Sequence, residues 1–214
     1  MSRLKYLVAL VALAVLLASS QVASAGIHAV NLGTGAPGTT LGPYTMTPFG
    51  PDGNPDFTSL SGIPSPLGGT LGFSPNLETR TVPSGGWVTW SHGATPRVYF
   101  TPGTTDTLTM PAGTGAFQFW AEPNTFNVFT VTATANDGTT LTEMINGNAG
   151  ASGFGFWADP GQSILSITVT APGGAAGFAL GEFAIARAVP EPCTLALFGV
   201  GVAGVVGFAR RRQK

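Results

Sequence analysis

The sequence contains little of what most active sites require. It has one cysteine, Cys193, and two histidines, and only 9% of its residues are charged. A single thiol excludes an internal disulfide, and a cysteine-free exported segment avoids mispairing in an oxidising compartment. Residues 26–192 hold ten acidic side chains but only three basic ones, Arg80, Arg97 and Arg187, so their formal charge is 3 − 10 = −7. Because no basic stripe can meet phosphates, a nucleic-acid partner is excluded.

The first 25 residues have the layout of a secretory signal peptide. Arg3 and Lys5 form a basic start, an unbroken apolar stretch runs from residue 7 to 18, and Ala23-Ser24-Ala25 is an A-x-A cleavage site. The stretch has no polar face, which argues against a buried amphipathic helix. The sequence therefore predicts export, with signal peptidase cutting after Ala25 and the mature chain beginning at Gly26.

The last 26 residues combine a proline pair, an apolar run and a basic end. Residues 193–209 carry no charge, and at about 1.5 Å per residue they predict a transmembrane helix of roughly 25 Å. The tail 210–214 contains Arg210, Arg211 and Arg212, which the positive-inside rule keeps cytoplasmic. Pro190 and Pro192 hold the chain before this helix extended. Such a segment serves either as a permanent anchor or as a site that a protease removes.

These three parts together resemble the PEP-CTERM sorting signal of Gram-negative bacteria. The resemblance covers residues 189–214, with Pro190-Glu191-Pro192, the apolar helix and the arginines in the same order. It implies that an exosortase, a membrane cysteine protease, recognises Pro190-Glu191-Pro192 and removes the helix, and that the protein accompanies exopolysaccharide production. The nucleophile belongs to the sorting enzyme, so Cys193 is predicted to be a small apolar residue at the helix start, with a lipidated or redox-active thiol as the alternative.

The exported part, residues 26–188, is predicted to be one all-β domain. Residues 26–80 are rich in Gly and Pro and predict loops with some edge strands, with Phe57 among the apolar residues that need burial. Residues 81–188 contain nine short β-branched or aromatic segments separated by turn signals, which favour an antiparallel β-sandwich of jelly-roll type. These segments are WVTW, RVYF, DTLTM, AFQFWA, FNVFTVTATA, TTLTEMI, GFGFWA, SILSITVT and GFALGEFAIA. The GWVTWSHG stretch and the closing GFALGEFAIA run look like domains often found ahead of PEP-CTERM tails, a resemblance that implies no activity.

One segment of this body occurs twice. FWAEPNTFNVFTVTA, from Phe119, is echoed by FWADPGQSILSITVTA, from Phe156, at an offset of 37 residues (156 − 119). We interpret the two copies as similar hairpins within one sandwich. Asn136-Asp137-Gly138 is predicted to form a tight turn between two further strands.

Catalytic constellations are scarce. Ser91 precedes His92, but neighbours on a strand point to opposite faces, so a serine–histidine pair is not expected there. Glu122 and Asp159 occupy equivalent places in the echo and are the obvious carboxylate pair for a glycosidase, yet both precede proline at predicted turns. We therefore predict that the protein is not an enzyme, with a hydrolase as the least supported alternative.

Two binding sites are candidates. Asp52, Asn54 and Asp56 have the spacing of the oxygen ligands at the start of an EF-hand calcium loop, although the later positions of that loop do not match. A structural calcium ion is the only cofactor that the sequence suggests. Four tryptophans are candidates for stacking on sugars, and alternation predicts that one residue of each pair, Phe119–Trp120 and Phe156–Trp157, faces outward. The tryptophans are Trp87, Trp90, Trp120 and Trp157.

The sequence thus predicts a secreted, non-enzymatic β-sandwich protein, anchored transiently in the inner membrane and then sorted by an exosortase to the cell surface or extracellular matrix. Its partners would be signal peptidase and the exosortase during processing. The alternative is a carbohydrate-binding module that acts on exopolysaccharide. An outward aromatic patch would favour the binding module, whereas a closed core would favour the structural protein.

Overall fold

A computed structural model of the chain describes residues 26–190, which form fourteen strands and two short 3-10 turns, Ser91–Gly93 and Gly173–Ala175. The prediction of an all-β domain without a long helix is confirmed for this part of the chain. The strands are β1 (Ile27–Gly33), β2 (Thr40–Leu41), β3 (Tyr44–Thr45), β4 (Thr47–Pro48), β5 (Ser59–Pro64), β6 (Thr70–Thr81), β7 (Arg97–Thr101), β8 (Thr105–Thr109), β9 (Thr114–Pro123), β10 (Val128–Ala135), β11 (Thr140–Asn146), β12 (Ser152–Ala158), β13 (Ser166–Thr170) and β14 (Phe178–Arg187).

Hydrogen bonding joins twelve of these strands into one antiparallel sheet. The main path runs β1-β12-β9-β14-β7-β6-β8-β13-β10-β11, with β4 on β14 and β5 on β6, while β2 and β3 form a separate hairpin. The sheet curls so that its first and last strands, β1 and β11, contact each other. One of these contacts is the hydrogen bond that the Asn31 side-chain amide donates to Glu143, at 2.5 Å.

The expected sandwich of two separate sheets differs from this continuous path, and two long strands account for the difference. The first part of β6, near Gly72, pairs with β8, and its second part, near Thr79, pairs with β7. Likewise, β14 pairs with β7 up to Gly181 and with β4 from Ala184, after an irregularity in its register. Because each of these strands changes neighbour along its length, the layers on the two sides of the core stay connected.

The interior of the curled sheet is a single apolar core. Its largest fully buried side chains include Phe117, Phe119, Phe154 and Phe156 from β9 and β12. The rings of Phe119 and Phe154 are stacked, with centroids 5.2 Å apart. Since these residues alternate along their strands, the sheet presents one continuous aromatic layer to the core.

The outer face of β9, β12 and β14 is covered as well, by two smaller clusters. Residues 82–96 fold over the first cluster, in which Trp87 and Trp90 pack against Trp120. The β2–β3 hairpin covers the second, where Leu41 and Tyr44 pack near Trp157. As a result every residue of β9 is buried, on both faces of the sheet.

The repeated segment forms a different structure from the two hairpins that the sequence predicts. Within each copy the two strands do not pair; instead β9 pairs with β12, and β10 pairs with β13, so equivalent strands of the two copies lie side by side. In this register Phe119 lies opposite Phe154, and Phe117 lies opposite Phe156. The turn after each acidic residue therefore carries the chain across the core rather than back along the same strand.

Other local predictions have mixed outcomes. Eight of the nine predicted strand segments, β7 to β14, are present, whereas WVTW lies in the covering segment 82–96 and forms no strand. The tight turn at Asn136-Asp137-Gly138 is confirmed, because it joins the paired strands β10 and β11. In residues 26–80, β6 runs between β7 and β8 inside the sheet rather than at an edge. Phe57 is 60% exposed, so its predicted burial is wrong.

Candidate functional site

The two ends of the described chain meet at the turn that follows β12. The backbone amide of Gly26 donates to Asp159 Oδ2 at 3.1 Å, and the Asp159 amide donates back to the Gly26 carbonyl at 3.0 Å. Two residues further on, the Gly161 amide donates to the Val189 carbonyl at 2.9 Å. We call these residues, together with Pro190, the terminal junction. The described chain therefore begins and ends at the same end of the domain.

The terminal junction also shows how the sorting residues leave the domain. Strand β14 ends at Arg187, whose guanidinium donates to the Leu67 carbonyl, and the Ala188 amide donates to the Gly113 carbonyl at 2.7 Å. Val189 and Pro190 are exposed. Three groups of predicted residues lie outside the described part of the chain: the remaining sorting residues Glu191, Pro192, Arg210, Arg211 and Arg212; the cleavage-site residues Ala23 and Ala25; and the predicted helix 193–209. Among residues 26–190, no helix has the length and apolar character needed to span a membrane.

Comparison with protein-family models identifies the C-terminal segment that follows this exposed end. The family model described as the PEP-CTERM protein-sorting motif matches residues 188–213. The chain carries a PEP-CTERM sorting motif. The motif implies export, membrane-associated sorting and processing by an exosortase. No curated protein matches the chain.

The tryptophans of this PEP-CTERM protein do not form the outward aromatic patch that sugar stacking would need. Trp87, Trp90 and Trp120 are all at most 5% exposed. Trp157 is half-buried, with the His28 ring stacked on it at a centroid distance of 5.2 Å and Gly42 against its ring. The prediction that one residue of the Phe119–Trp120 pair faces outward is wrong, because the segment 82–96 covers the outer face.

Ser91 and His92 do lie together, in contrast to the sequence prediction. They form part of a 3-10 turn and not a strand, and Ser91 Oγ is 3.0 Å from His92 Nδ1. His92 Nε2 is 3.1 Å from Glu182 Oε1, which completes a serine–histidine–glutamate row. However, Ser91 is only 1% exposed, and the Thr34 carbonyl also accepts from Nδ1 at 3.3 Å. A carbonyl oxygen can only accept, so Nδ1 is the donor in the bond to Thr34 and is then poorly placed to take a proton from Ser91.

Glu182, at the end of this row, has a strained backbone conformation. Its φ of 52° lies in the left-handed region, at the register irregularity of β14. Two hydrogen bonds hold the side chain there, one of them from Trp90 Nε1 at 2.7 Å. Glu182 also lines an open cleft of about 350 Å³, whose other walls include Phe49, Arg97, Tyr99 and several prolines.

The predicted calcium loop is built around an arginine. The Arg97 guanidinium lies 3.1 Å from an Asp52 carboxylate oxygen and 3.3 Å from Asp56, and it also donates to the Asn54 carbonyl. Tyr99 donates its hydroxyl to Asp52 at 2.8 Å, and burial together with this bond strongly raises the pKa of Tyr99. The guanidinium therefore contacts both carboxylates that the sequence assigns to a calcium loop. No group of three or more His, Cys, Asp or Glu side chains within residues 26–190 is arranged to hold a metal ion.

The two carboxylates of the echo lie far apart. The β9–β12 register pairs Trp157 with Ala116, and continuing it by two residues places Asp159 level with Thr114, eight residues along β9 from Glu122 (122 − 114). At about 3.3 Å per residue this separation is roughly 26 Å, well beyond the distance that glycoside hydrolysis requires. Glu122 is instead a buried hydrogen-bond acceptor, which receives Trp87 Nε1 at 2.7 Å and the Gly150 amide at 3.1 Å. Burial outweighs these bonds and raises the pKa of Glu122 to about 7.

Asp106 is a buried acid that sequence reasoning missed. It is fully buried on β8, and neither carboxylate oxygen has a partner with hydrogen-bond geometry. The Ser74 backbone amide favours the ionised form but does not offset the burial. This burial raises the pKa of Asp106 to about 7. The signal was present in TDTLTM, because alternation places Asp106 on the same face as Leu108 and Met110.

Proposed function

We propose that the protein is a non-enzymatic exported domain that an exosortase delivers to the cell surface or extracellular matrix by cutting at Pro190-Glu191-Pro192. The observation that carries this proposal is the terminal junction. Gly26 and Val189 are bound by residues of one turn, so the signal peptide and the C-terminal helix can lie in the same membrane at the same time.

The distance between domain and membrane is short in this arrangement. Within residues 26–190, the last backbone hydrogen bond to the domain is at Val189, four residues before Cys193, which is where the predicted helix begins. Four extended residues span at most about 14 Å. The sorting enzyme therefore reaches the prolines in a narrow gap, on a backbone that is exposed at Pro190.

The arrangement of polar groups also supports a structural role. Hydrogen bonds or ion pairs engage nearly all the polar side-chain atoms of four residues at the cleft, which are Asp52, His92, Arg97 and Glu182. Ser91 is buried. Such groups stabilise the walls of the cleft, and they leave no exposed nucleophile beside a base.

The test is to replace Pro190, Glu191 and Pro192 by alanine in the native host. The intact mass and location of the protein are then measured in membrane and extracellular fractions. We expect the wild type to be released as a chain from Gly26 to about Pro192, and the variant to stay in membranes with residues 193–214 attached. A Pro66→Ala variant, at another exposed proline, is the control and should be processed normally. Unchanged release of the triple variant would contradict the proposal.

A second candidate function, binding of exopolysaccharide, is favoured by one face of the sheet. The outward residues of β8, β13, β10 and β11 include ten threonines, three, two, three and two respectively, and no charged side chain. They are Thr105, Thr107, Thr109, Thr168, Thr170, Thr130, Thr132, Thr134, Thr140 and Thr142. We call this surface the threonine face. Its hydroxyls recur at about 6.7 Å along each strand and about 4.8 Å between strands, a regular array for a neutral hydroxylated polymer.

Introducing negative charge on this face tests the second candidate. Thr132→Glu combined with Thr168→Glu should lower co-sedimentation of the exported protein with the host's exopolysaccharide at least tenfold. Val88→Glu, at a position 63% exposed outside the threonine face, is the matched control. Equal binding by both variants, or none by the wild type, would exclude the threonine face as the binding surface.

A further inference from the structure

The first residue of the described domain lies beside two carboxylates. The Gly26 backbone nitrogen is 3.1 Å from Asp159 Oδ2, and the next amide, that of Ile27, donates to Asp137 Oδ2 at 2.9 Å. Asp137 also lies close to Gly26 itself, since a side-chain carbon built on that glycine would be 4.0 Å from Asp137 Oδ2. Two acids that are 22 residues apart in the sequence (159 − 137) thus converge on one backbone position.

The two carboxylates come from opposite ends of the sheet path. Asp159 follows β12, the second strand of the path, and Asp137 lies in the turn that leads into β11, the last strand. The pairing of Ile27 with Ala158 and the bond from Thr139 Oγ1 to the Ile27 carbonyl hold β1 between them. The position of Gly26 is therefore set by the fold on both sides.

These carboxylates have no arginine partner within residues 26–190. Each arginine of that range is engaged elsewhere: Arg80 with Glu78, Arg97 with Asp52 and Asp56, and Arg187 with the Leu67 carbonyl. The other titratable group at this site is His28, whose Nε2 is 3.0 Å from Asp159 Oδ1. A site with two acids and one histidine has room for a further positive charge.

We propose that Asp159 and Asp137 form a binding site for the α-ammonium group of Gly26, which exists only after the signal peptide has been removed. The inference rests on the export route proposed above, with cleavage after Ala25. Before cleavage, Gly26 contributes one uncharged amide N–H at this position. Hydrolysis of the Ala25–Gly26 bond adds water across it, leaving a carboxylate on Ala25 and an amine on Gly26 that binds a proton. The new ammonium has three donors and a positive charge.

The hydrogen bonds around the site are those expected of carboxylates that stay ionised. Donation from the Gly26 backbone nitrogen and from His28 lowers the pKa of Asp159. For Asp137, partial burial opposes ionisation, but the amides of Thr139 and Ile27 outweigh it and lower the pKa. An ammonium between two ionised acids has its own pKa raised, because the acids favour the charged form.

The composition of the processed chain makes the α-amine of Gly26 easy to measure. The only lysines of the sequence are Lys5 and Lys214, and both lie outside residues 26–192. The α-amine of Gly26 is therefore the single primary amine that the processed protein would carry. Any reagent that acylates amines reports on this one group, and intact mass gives the extent of reaction.

The experiment uses the exported, processed protein purified from its host, and intact mass first establishes that it begins at Gly26. Acetylation by acetic anhydride is then followed from pH 6 to 10 in the wild type and in Asp159→Asn, since only the uncharged amine reacts. The wild-type midpoint should lie above the ordinary range of about 7.7–8.0 for an α-amine. In Asp159→Asn the midpoint should fall, and acetylation at pH 7 should be several-fold faster.

A second variant keeps both carboxylates and displaces only the charge. A serine inserted between Ala25 and Gly26 moves the ammonium outward by one residue and leaves an amide at Gly26. The wild type should melt about 2–4 °C higher than this variant below pH 7.5. Because the folded-state pKa of the amine is raised, that advantage should vanish as the pH rises through it.

The outcomes separate the two proposals. A processed chain that begins at Gly26 with an ordinary amine midpoint, and with no pH-dependent difference from the insertion variant, would overturn the ammonium site and leave export intact. A mature chain that begins elsewhere would overturn the cleavage position and with it this inference. Should Asp159→Asn fail to fold, the insertion variant still decides the question.

Discussion

The sheet has two halves that share one core but differ on their outer faces. In the first half, β12, β9 and β14 are covered on the outside by residues 82–96 and by the β2–β3 hairpin, so Trp120 is as buried as Phe119. In the second half, β8, β13, β10 and β11 carry the exposed threonine face. We call these the covered half and the open half. The comparison shows that strand alternation predicts burial only where nothing else in the chain folds over the sheet.

The largest expected effect is a difference in unfolding free energy between substitutions on the outer faces of the two halves. Trp120→Ala should lower the free energy of unfolding by about 3–5 kcal/mol, because it leaves a cavity between the sheet and residues 82–96. Thr132→Ala, at an outward position of the open half, should change it by less than about 0.5 kcal/mol. Urea unfolding of the exported protein measures both. A cost below about 1 kcal/mol for Trp120→Ala would mean that residues 82–96 do not cover the strand.

The next effect concerns the buried acid of the open half. The pKa of Asp106 is raised to about 7, so the folded state favours the protonated form and stability is lost as the pH rises from about 4 through 7. Asp106→Asn removes this loss. Between pH 4 and pH 8 the free energy of unfolding should fall by about 2–4 kcal/mol less in the variant than in the wild type, at about 1.4 kcal/mol per pKa unit. Equal pH dependence in urea unfolding would show that Asp106 is not the responsible group.

Glu122 provides the matching case in the covered half, because it has donors where Asp106 has none. Trp87→Phe deletes the indole N–H that donates to Glu122, so it should raise the pKa of Glu122 from its present value of about 7. We expect a cost of about 1.5–3 kcal/mol at pH 8, where the acid is charged, and a smaller cost at pH 4, where it is protonated. The same cost at both pH values would assign the effect to lost packing and not to the hydrogen bond.

The smallest effect is expected on the threonine face. Thr107→Val removes the 3.0 Å hydrogen bond to Thr168 while keeping the shape and strand preference of the side chain, so stability should change by less than about 0.5 kcal/mol. Thr79→Val is the control. Thr79 is fully buried and bonds to Thr58 and Pro55, so the same change there should cost about 1–3 kcal/mol. Equal costs at Thr107 and Thr79 would contradict the distinction between the two environments.

The sequence predicted those features that depend on local pattern. Alternating β-branched and aromatic residues located β7 to β14, and Asn136-Asp137-Gly138 located the turn before β11. The PEP-CTERM motif at residues 188–213 was also readable, because a proline pair, an apolar run and terminal arginines are contiguous in the chain. These signals need no knowledge of distant neighbours.

The errors arose where a distant segment decides the environment of a residue. The WVTW stretch has the composition of a strand, but it packs across the outside of β9 and forms no ladder. The two echoed segments look like hairpins, yet each strand pairs with its counterpart in the other copy. The contacts of Arg97 with Asp52 and Asp56, each more than 40 residues away, likewise had no local signal.

By itself, the sequence determined that the chain is antiparallel β, sparsely charged and marked at its C-terminal end for sorting, because composition, periodicity and contiguous motifs carry that information. Only the tertiary structure decided which face of each strand is exposed, which acids are buried without partners, and that Gly26 and Val189 meet at one turn. The physical reason is that burial and electrostatic environment depend on contacts between residues that are far apart in the chain.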